Sequence, residues 1–291
     1  MSADTDFEWI EDLKTEETYG QVHLVTLFKA LLTSKTDEAT PTAIAWSIDT
    51  LFYECLSGRG EETEEEAIEL FLFDFWQLLL SIVLQCPFSK LDLLVQLVGA
   101  LRKIISQDIE LDGAKMKLWG DLPLLERCFR LDFKDGSLML YVADAPRSKQ
   151  GEYMQEWVRQ NSFAARIYGK HYVNMYPYAE GILRTTFEQP RDITLLPAEL
   201  AACREWLLYG GSVLFNCIPL KRWKHWKKNV SSIPKDYPQV AVQALEIQAL
   251  LDKAESSAND TAEVASAFSQ TSIGSKRERL RRKFAGIFSR K

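Results

Sequence analysis

Apolar residues recur at intervals of three and four positions along most of the chain, whereas the strict alternation typical of strands is scarce. Because an α-helix has 3.6 residues per turn, this spacing places the apolar side chains on one helix face. The pattern predicts an all-α fold, a compact multi-helix globular domain of about ten helices. The predicted helices include 19–34, 41–58, 67–86, 89–104, a short helix after a turn at 118–125, about 150–169, 177–189, 196–217, 220–230 and 237–256.

The most apolar segment, residues 67–86, predicts a central core helix. Polar residues recur at three- and four-residue steps on one narrow stripe of this helix: Asp74, Gln77, Ser81 and Gln85. Thr63 and Glu66 form a capping-box pattern just before it. The segment approaches transmembrane length, but Glu69 and Asp74 would each oppose insertion by about 2.5–3.5 kcal/mol. We therefore expect no transmembrane segment.

Several small or capping residues mark the expected ends and contacts of these helices. Pro41 opens the second helix and Gly58 closes it, following the usual placement of proline first and glycine last. Ser89 is the expected N-cap of the fourth helix. Gly210 and Gly211 lie where the helical pattern continues, although glycine destabilises a helix interior. We therefore expect close helix packing or a kink at these glycines.

Four motifs that follow one another in a fixed order resemble a known family. They are LWGDLPLL (118–125), GEYMQEWVRQNSFAARI (151–167), AACREWLLYGGSVLF (201–215) and LKRWKHWKKNV (220–230). The arrangement resembles a large fungal family of intracellular proteins classed as a domain of unknown function. In that family a W-G-x-L-P turn precedes an E-W-x-x-x-N-x-F-x-A-R helix, a W-I/L-x-x-A/G-G helix and an R-W-x-x-W-K helix.

This resemblance covers roughly residues 20–255. It implies a compact helical fold and a fungal source, and it implies no activity. Tyr209 stands where a small residue often precedes the two glycines, which argues against a tight helix crossing at that point.

The five cysteines are widely separated and form no C-x-x-C pair. This spacing favours neither a disulfide framework nor a zinc site. The N-terminal sequence MSADTDFEWIEDLK is acidic and lacks the basic and apolar regions of a secretory signal. We expect a cytoplasmic protein with reduced thiols.

The formal net charge of −6 conceals a strong segregation along the chain. Residues 1–70 carry 4 basic and 17 acidic side chains, whereas residues 275–291 carry 8 basic and 1 acidic. Such asymmetry suggests an external partner for one end or attraction between the two ends. The expected organisation of this monomer is an acidic N-terminal segment (1–18), a helical domain (19–255), a flexible linker (256–274) and a basic amphipathic tail (275–291).

The tail, SKRERLRRKFAGIFSRK, has the pattern of a basic amphipathic helix. On a helix its apolar residues share an arc of about 100°; they are Leu280, Phe284, Ile287 and Phe288. Basic residues lie on the far side, namely Arg279, Arg282 and Lys283. This pattern suits an acidic protein partner or an anionic membrane surface. A helix of this length is marginal alone in water, so we expect it to form on docking. The run KRERLRRK also fits a nuclear-import signal.

The body of the chain offers two weaker candidate sites. Glu156 and Asn161, with Arg222 as a charged neighbour, could line a polar ligand pocket, although a buried Asn161 that only satisfies structural hydrogen bonds is the preferred interpretation. KRWKHWKK could contact nucleic acid, but Trp223 and Trp226 at helical spacing are more typical of core anchors.

No catalytic, cofactor or metal motif is recognisable in the sequence. The leading prediction is therefore a non-enzymatic interaction protein whose tail binds an acidic surface, including its own N-terminal region. The alternative is a small-molecule-binding protein or an enzyme that uses a cleft near Asn161.

Overall fold

The structure is a computed structural model that describes residues 7–13, 18–34, 39–58, 63–105, 107–132, 138–143 and 145–257. Within these residues the chain forms eleven α-helices and one two-stranded antiparallel sheet. The predicted all-α class is confirmed.

The elements follow one another in a simple order. They are α1 (Tyr19–Thr33), α2 (Ala39–Ser57), α3 (Glu64–Gln85), α4 (Leu91–Leu101), β1 (Asp108–Leu111), β2 (Ala114–Lys117), α5 (Leu125–Asp132), α6 (Leu138–Ala143), α7 (Gln150–Gly169), α8 (Tyr176–Glu188), α9 (Leu196–Cys217), α10 (Leu220–Asp236) and α11 (241–257). Short 3-10 helices precede α1, α4, α7 and α11, at Glu8–Leu13, Phe88–Lys90, Arg147–Lys149 and Pro238–Val240.

Helix α3 lies at the centre of the fold, in contact with α1, α2, α4, α5, α7 and β1. The predicted capping box is confirmed: the Thr63 hydroxyl accepts the Glu66 backbone N–H at 3.3 Å, and the Thr63 backbone N–H donates to the Glu66 carboxylate at 3.0 Å. The hydrogen bond from the Thr63 backbone lowers the pKa of Glu66. The polar stripe stays partly exposed while the other faces are buried, as predicted.

In the described part of the chain, α3 is the one helix that is long and apolar enough to cross a membrane. Most of its apolar window, 61%, is buried inside the protein. Its apolar side chains therefore serve the core, as expected for a central helix.

The buried apolar side chains form one contact cluster that runs from Ile10 to Ala254. Six tryptophans are fully buried within it: Trp76, Trp119, Trp157, Trp206, Trp223 and Trp226. Because one cluster includes residues from both ends of the described chain, the helices share a single hydrophobic core.

Helices α7 and α9 cross at very short range. A Cβ atom added to Gly169 would lie 2.1 Å from the carbonyl oxygen of Tyr209, and one on Gly210 would lie 2.8 Å from the Tyr168 ring. Gly211 faces Ala254 of α11, where an added Cβ would lie 3.1 Å from the Ala254 Cβ. The close packing expected at Gly210 and Gly211 is confirmed, and Tyr209 does not prevent it.

Four local features differ from the sequence-based expectations. Ser89 is not the N-cap of α4, because residues 88–90 form a 3-10 turn and α4 begins at Leu91. The hairpin formed by β1 and β2 and the short helix α6 were not predicted. Helix α10 continues to Asp236 instead of ending near residue 230.

Three predicted segments lie largely or wholly outside the described residues. Residues 256 and 257 belong to α11, so the expected linker could begin no earlier than 258. The remainder of that linker and the basic tail at 275–291 lie outside the described part of the chain, as do residues 1–6 of the acidic N-terminal segment.

Candidate functional site

The predicted pocket residue Asn161 is fully buried on α7. Its side-chain N–H donates to the carbonyl oxygen of Trp157 at 2.9 Å, and its side-chain oxygen accepts the indole N–H of Trp206 at 2.8 Å. Trp206 belongs to α9, so this amide joins the two helices at their crossing. Both ends of the Asn161 amide are thereby used in structural hydrogen bonds.

The other two predicted pocket residues lie elsewhere on the helical body. Glu156 is partly buried on α7. Arg222 lies on α10, where its guanidinium pairs with Glu180 and, at 3.2 Å, with Glu188 of α8. The described contacts of Asn161 and Arg222 thus involve different helix pairs. A ligand pocket shared by Glu156, Asn161 and Arg222 stays a prediction.

A buried ion network lies beside Asn161. Arg166 of α7 pairs with Glu205 of α9 at 2.8 Å and with Asp92 of α4 at 2.8 Å. Ser162 donates its hydroxyl to Glu205 at 2.5 Å, and the Arg166 guanidinium lies 4.0 Å from the centroid of the Tyr209 ring. Glu205 also pairs with Arg204 of α9 at 2.6 Å, and the ion pairs of Arg166 tie α4, α7 and α9 together.

The basic motif of α10 is anchored by its aromatic residues. Trp223 and Trp226 are fully buried, which confirms their predicted role as core anchors. Lys227 pairs with Asp252 at 2.5 Å and Glu255 at 2.7 Å, and the hydrogen bond to Asp252 raises the pKa of Lys227. Nucleic-acid contact through this motif stays a prediction.

A cleft of about 660 Å³ opens at one side of the described body. We refer to it as the hairpin cleft. It is bounded by the β1–β2 hairpin, the turn before α5, α5 itself and the segment after α7, and it is lined by Leu111, Asp112, Met116, Asp121, Leu122, Pro123, Leu124, Glu126, Arg127, Arg130, Leu131, Tyr172, Val173 and Asn174. Its volume is within the range of known ligand sites.

Strained backbone lines the hairpin cleft. Asp112, Leu122 and Leu124 have φ values of 52°, 50° and 66°, and His171, which directly precedes the lining residue Tyr172, has 57°. Left-handed backbone costs about 1–2 kcal/mol for a residue with a side chain. Within the described residues, these four are the non-glycine positions with positive φ. Such strain persists only where the surroundings enforce it, and it concentrates at functional sites.

Two side chains enforce this geometry. The indole N–H of Trp76 on α3 donates to the carbonyl oxygen of Pro123 at 2.7 Å. The guanidinium of Arg102 donates to the carbonyl oxygen of Gly120 at 3.1 Å and lies 5.0 Å from the centroid of the Tyr172 ring. Arg102 thereby connects the turn before α5 to Tyr172, which lines the hairpin cleft.

The acidic start of α3 lies beside the hairpin cleft. Glu65 accepts the backbone N–H of Asp112 at 2.9 Å, and Glu69 pairs with Arg127 at 2.8 Å. Arg130 pairs with Glu126 at 2.9 Å. Both arginines of the cleft thus have carboxylate partners, and the cleft adjoins the most acidic stretch of the sequence.

The sequence contains one signal for the hairpin at this cleft, which the prediction of an all-helical chain did not use. Asp112 and Gly113 form a D-G pair between the short alternating stretches D-I-E-L and A-K-M-K, which is a known hairpin signature. No comparable signal in the sequence shows that α5 and residues 172–174 close the other sides.

In the described residues no group of three or more His, Cys, Asp or Glu side chains could hold a metal ion. The five cysteines are thiols in the described part of the chain, and Cys86, Cys128 and Cys203 are buried. Burial raises the pKa of the Cys86 thiol to about 12.

The fold defines this chain as an all-α protein with a single core, a buried ion network and a lateral cleft. Residues 76–230, more than half of the chain, match the family described as "Protein of unknown function (DUF3632)". The chain belongs to this family. No curated protein and no solved structure matches it. The lining of the hairpin cleft lies wholly within the matched residues.

Proposed function

We propose that this protein is a non-enzymatic interaction protein whose basic tail, residues 275–291, binds an acidic protein surface. The observation that carries the proposal is the composition of the tail, in which eight basic side chains and one acidic side chain accompany an apolar stripe. Two phenylalanines on one side of a charged helix exceed what solubility requires, and they suit a groove with an acidic border. The proposed location is the cytoplasm, or the nucleus if KRERLRRK is read as an import signal.

The charge pattern of the helical body supports this proposal. Half-buried cations there are paired with carboxylates of the body itself, as with Arg222 and Glu180, or Lys227 and Asp252. The tail contains one carboxylate, Glu278, for its eight cations. Its charge must therefore be balanced by another surface or by salt ions.

An anionic membrane is the main competing surface for a basic amphipathic helix. We favour a protein surface because residues 1–70 of the same chain already carry a formal charge of −13, which makes an acidic protein surface available at high local concentration. The lysate test below also detects binding to an anionic membrane.

The alternative function, a small-molecule-binding protein or an enzyme that uses a cleft near Asn161, has weaker support. The Asn161 amide is fully buried and already makes two hydrogen bonds, so it has little capacity left for a ligand.

The test compares three forms of the protein as affinity baits in a cell lysate at physiological salt. They are the full-length chain, residues 1–274, and a full-length Phe284→Ser/Phe288→Ser variant that keeps every charge of the tail. Truncation after residue 274 removes none of the described residues, so the body stays complete. We expect acidic proteins that the full-length chain retains and that both altered forms lose.

Three results would contradict the proposal. Identical profiles for all three forms would show that the tail binds nothing. Proteins lost on truncation but retained by the double serine variant would show adsorption by charge alone. Enrichment of anionic lipids without proteins would replace the protein surface by a membrane.

A further inference from the structure

We propose that the hairpin cleft, together with the acidic first turn of α3, is a docking surface for the basic tail of the same chain. In this resting state the tail occupies the cleft, and an external acidic partner must compete with it. The inference rests on the proposed function of the tail and names the surface that the tail binds.

The hairpin cleft offers apolar contacts of the kind that an amphipathic helix needs. Met116 and Leu124 line it as partly buried residues, and Leu131 lines it with 60% of its surface exposed. A leucine this exposed gains from being covered. Phe284 and Phe288 lie four residues apart in the tail, and on a helix they would lie on the same face. Their rings match an apolar floor with a charged border.

The border of the hairpin cleft is complementary in charge to the tail. Glu64, Glu65 and Glu66 occupy the first turn of α3, and Glu65 holds the Asp112 backbone at the tip of the hairpin. Within the described part of the chain, no ion pair engages Glu64 or Glu65. Their carboxylates can therefore attract the cations of the tail.

The arginines that line the hairpin cleft oppose this attraction only weakly. Arg127 pairs with Glu69 and Arg130 with Glu126, each at hydrogen-bonding distance. A paired guanidinium has little net charge at a distance, so the acidic turn of α3 determines the local field.

The length of chain between the body and the tail permits contact with most of the body surface. Residues 258–274 lie between the end of α11 and the tail. Fully extended, a segment of this length spans about 55–60 Å. A compact body of this size has a diameter of roughly 45 Å. Half the circumference of such a body is about 70 Å, so the extended segment alone reaches most of the surface, and the length of the tail adds to this reach.

The first test measures binding in trans between the protein of residues 1–274 and a fluorescein-labelled peptide of residues 275–291. Fluorescence anisotropy gives the dissociation constant. Leu131→Ser in the 1–274 protein should weaken peptide binding at least fivefold. Leu245→Ser is the matched control, because Leu245 on α11 is 61% exposed and lies outside the cleft. Leu245→Ser should change the dissociation constant by less than twofold.

A second pair of variants tests the charge. Glu64→Gln/Glu65→Gln should weaken peptide binding and flatten its salt dependence, whereas Glu152→Gln, at an exposed position in the first turn of α7, should do neither. Circular dichroism of each variant confirms that the body remains folded.

A photo-crosslink tests the contact in the intact chain. With p-benzoylphenylalanine at position 284, we expect a product of monomer mass whose crosslinked peptides come from 64–72 or 108–131. Crosslinks to other parts of the body, or between two chains, would overturn the proposed docking.

The outcomes separate this inference from the function on which it rests. If the peptide binds 1–274 equally well with Leu131→Ser and Leu245→Ser, the docking surface is wrong and the tail remains a binding segment. If the peptide does not bind 1–274 while the lysate test succeeds, self-docking alone fails. If both tests fail, both proposals fall.

Discussion

Trp76 and Pro123 are joined by a buried hydrogen bond of 2.7 Å that connects the central helix to the wall of the hairpin cleft. Pro123 lies between Leu122 and Leu124, whose backbone is held in the left-handed region. One indole N–H of the core therefore fixes a turn that would otherwise relax. The hairpin cleft is a consequence of core packing and not of a mobile loop.

Trp76→Phe should remove this bond and leave the Pro123 carbonyl without a partner. We expect a loss of about 1–3 kcal/mol in the free energy of unfolding beyond the loss of ring volume. Trp223→Phe is the control, because the Trp223 indole N–H is buried and has no acceptor within the described residues. Urea denaturation of both variants isolates the hydrogen bond. Equal losses would show that the Pro123 contact contributes nothing.

Gly169→Ala should destabilise the crossing of α7 and α9. The new Cβ would lie 2.1 Å from the Tyr209 carbonyl oxygen, so the helices must separate. We expect a loss of about 1–3 kcal/mol, typical of overpacking. Gly181→Ala on α8 is the matched control, since its Cβ would meet nothing within 4 Å. At position 181 alanine should raise the free energy of unfolding by about 0.5–1 kcal/mol, because alanine favours a helix more than glycine does. Thermal and urea unfolding measure the change in stability of each variant. A gain in stability for Gly169→Ala would show that α7 and α9 do not cross closely at this point.

Substituting one residue of the Arg166–Glu205 ion pair should destabilise the protein more than substituting both. Glu205→Leu alone leaves the buried Arg166 guanidinium with only Asp92 as an acidic partner, and we expect a loss of about 3 kcal/mol. Arg166→Met together with Glu205→Leu should be less destabilised than either single variant. A double-mutant cycle measured by urea denaturation checks this. Additive losses would mean that the two side chains act independently.

Glu199 should make the stability depend on pH near neutrality. Burial, with Asp192 nearby, raises the pKa of Glu199 to about 7, against the opposing effect of Arg191. A carboxyl group with a raised pKa in the folded state binds its proton more tightly there, so it disfavours folding progressively as the pH rises from about 4.5 to 7. Glu199→Gln should therefore change little at pH 4.5 and stabilise by about 1–3 kcal/mol at pH 8. A difference between the two proteins that stays constant with pH would contradict this.

The sequence predicted the long helices well because their own periodicity determines them. Helix α9 was predicted at 196–217 and is found at Leu196–Cys217, and the Thr63 capping box is present as its spacing required. These features depend on neighbours within one or two turns, which a sequence pattern records directly.

The sequence could not predict contacts between distant segments. The four-residue strands of the hairpin are too short to show a clear alternation beside helices of twenty residues. The hairpin cleft depends on Trp76 meeting Pro123 and on Arg102 meeting Gly120, which no local pattern encodes. The sequence favoured a buried, structural role for Asn161. It did not identify Trp206, the hydrogen-bond partner of Asn161, which lies 45 positions away.

The crossing of α7 and α9 has a consequence for the newly made chain. Helix α7 ends at Gly169, but α9, which covers its apolar face, is complete only at Cys217. At a synthesis rate of about 5–20 residues per second, the side of α7 that packs on α9 lacks this partner for roughly 2–10 seconds, while α3, α4 and α6 are already made. During this interval Asn161 and Tyr168 lack their later partner, Trp206 of α9.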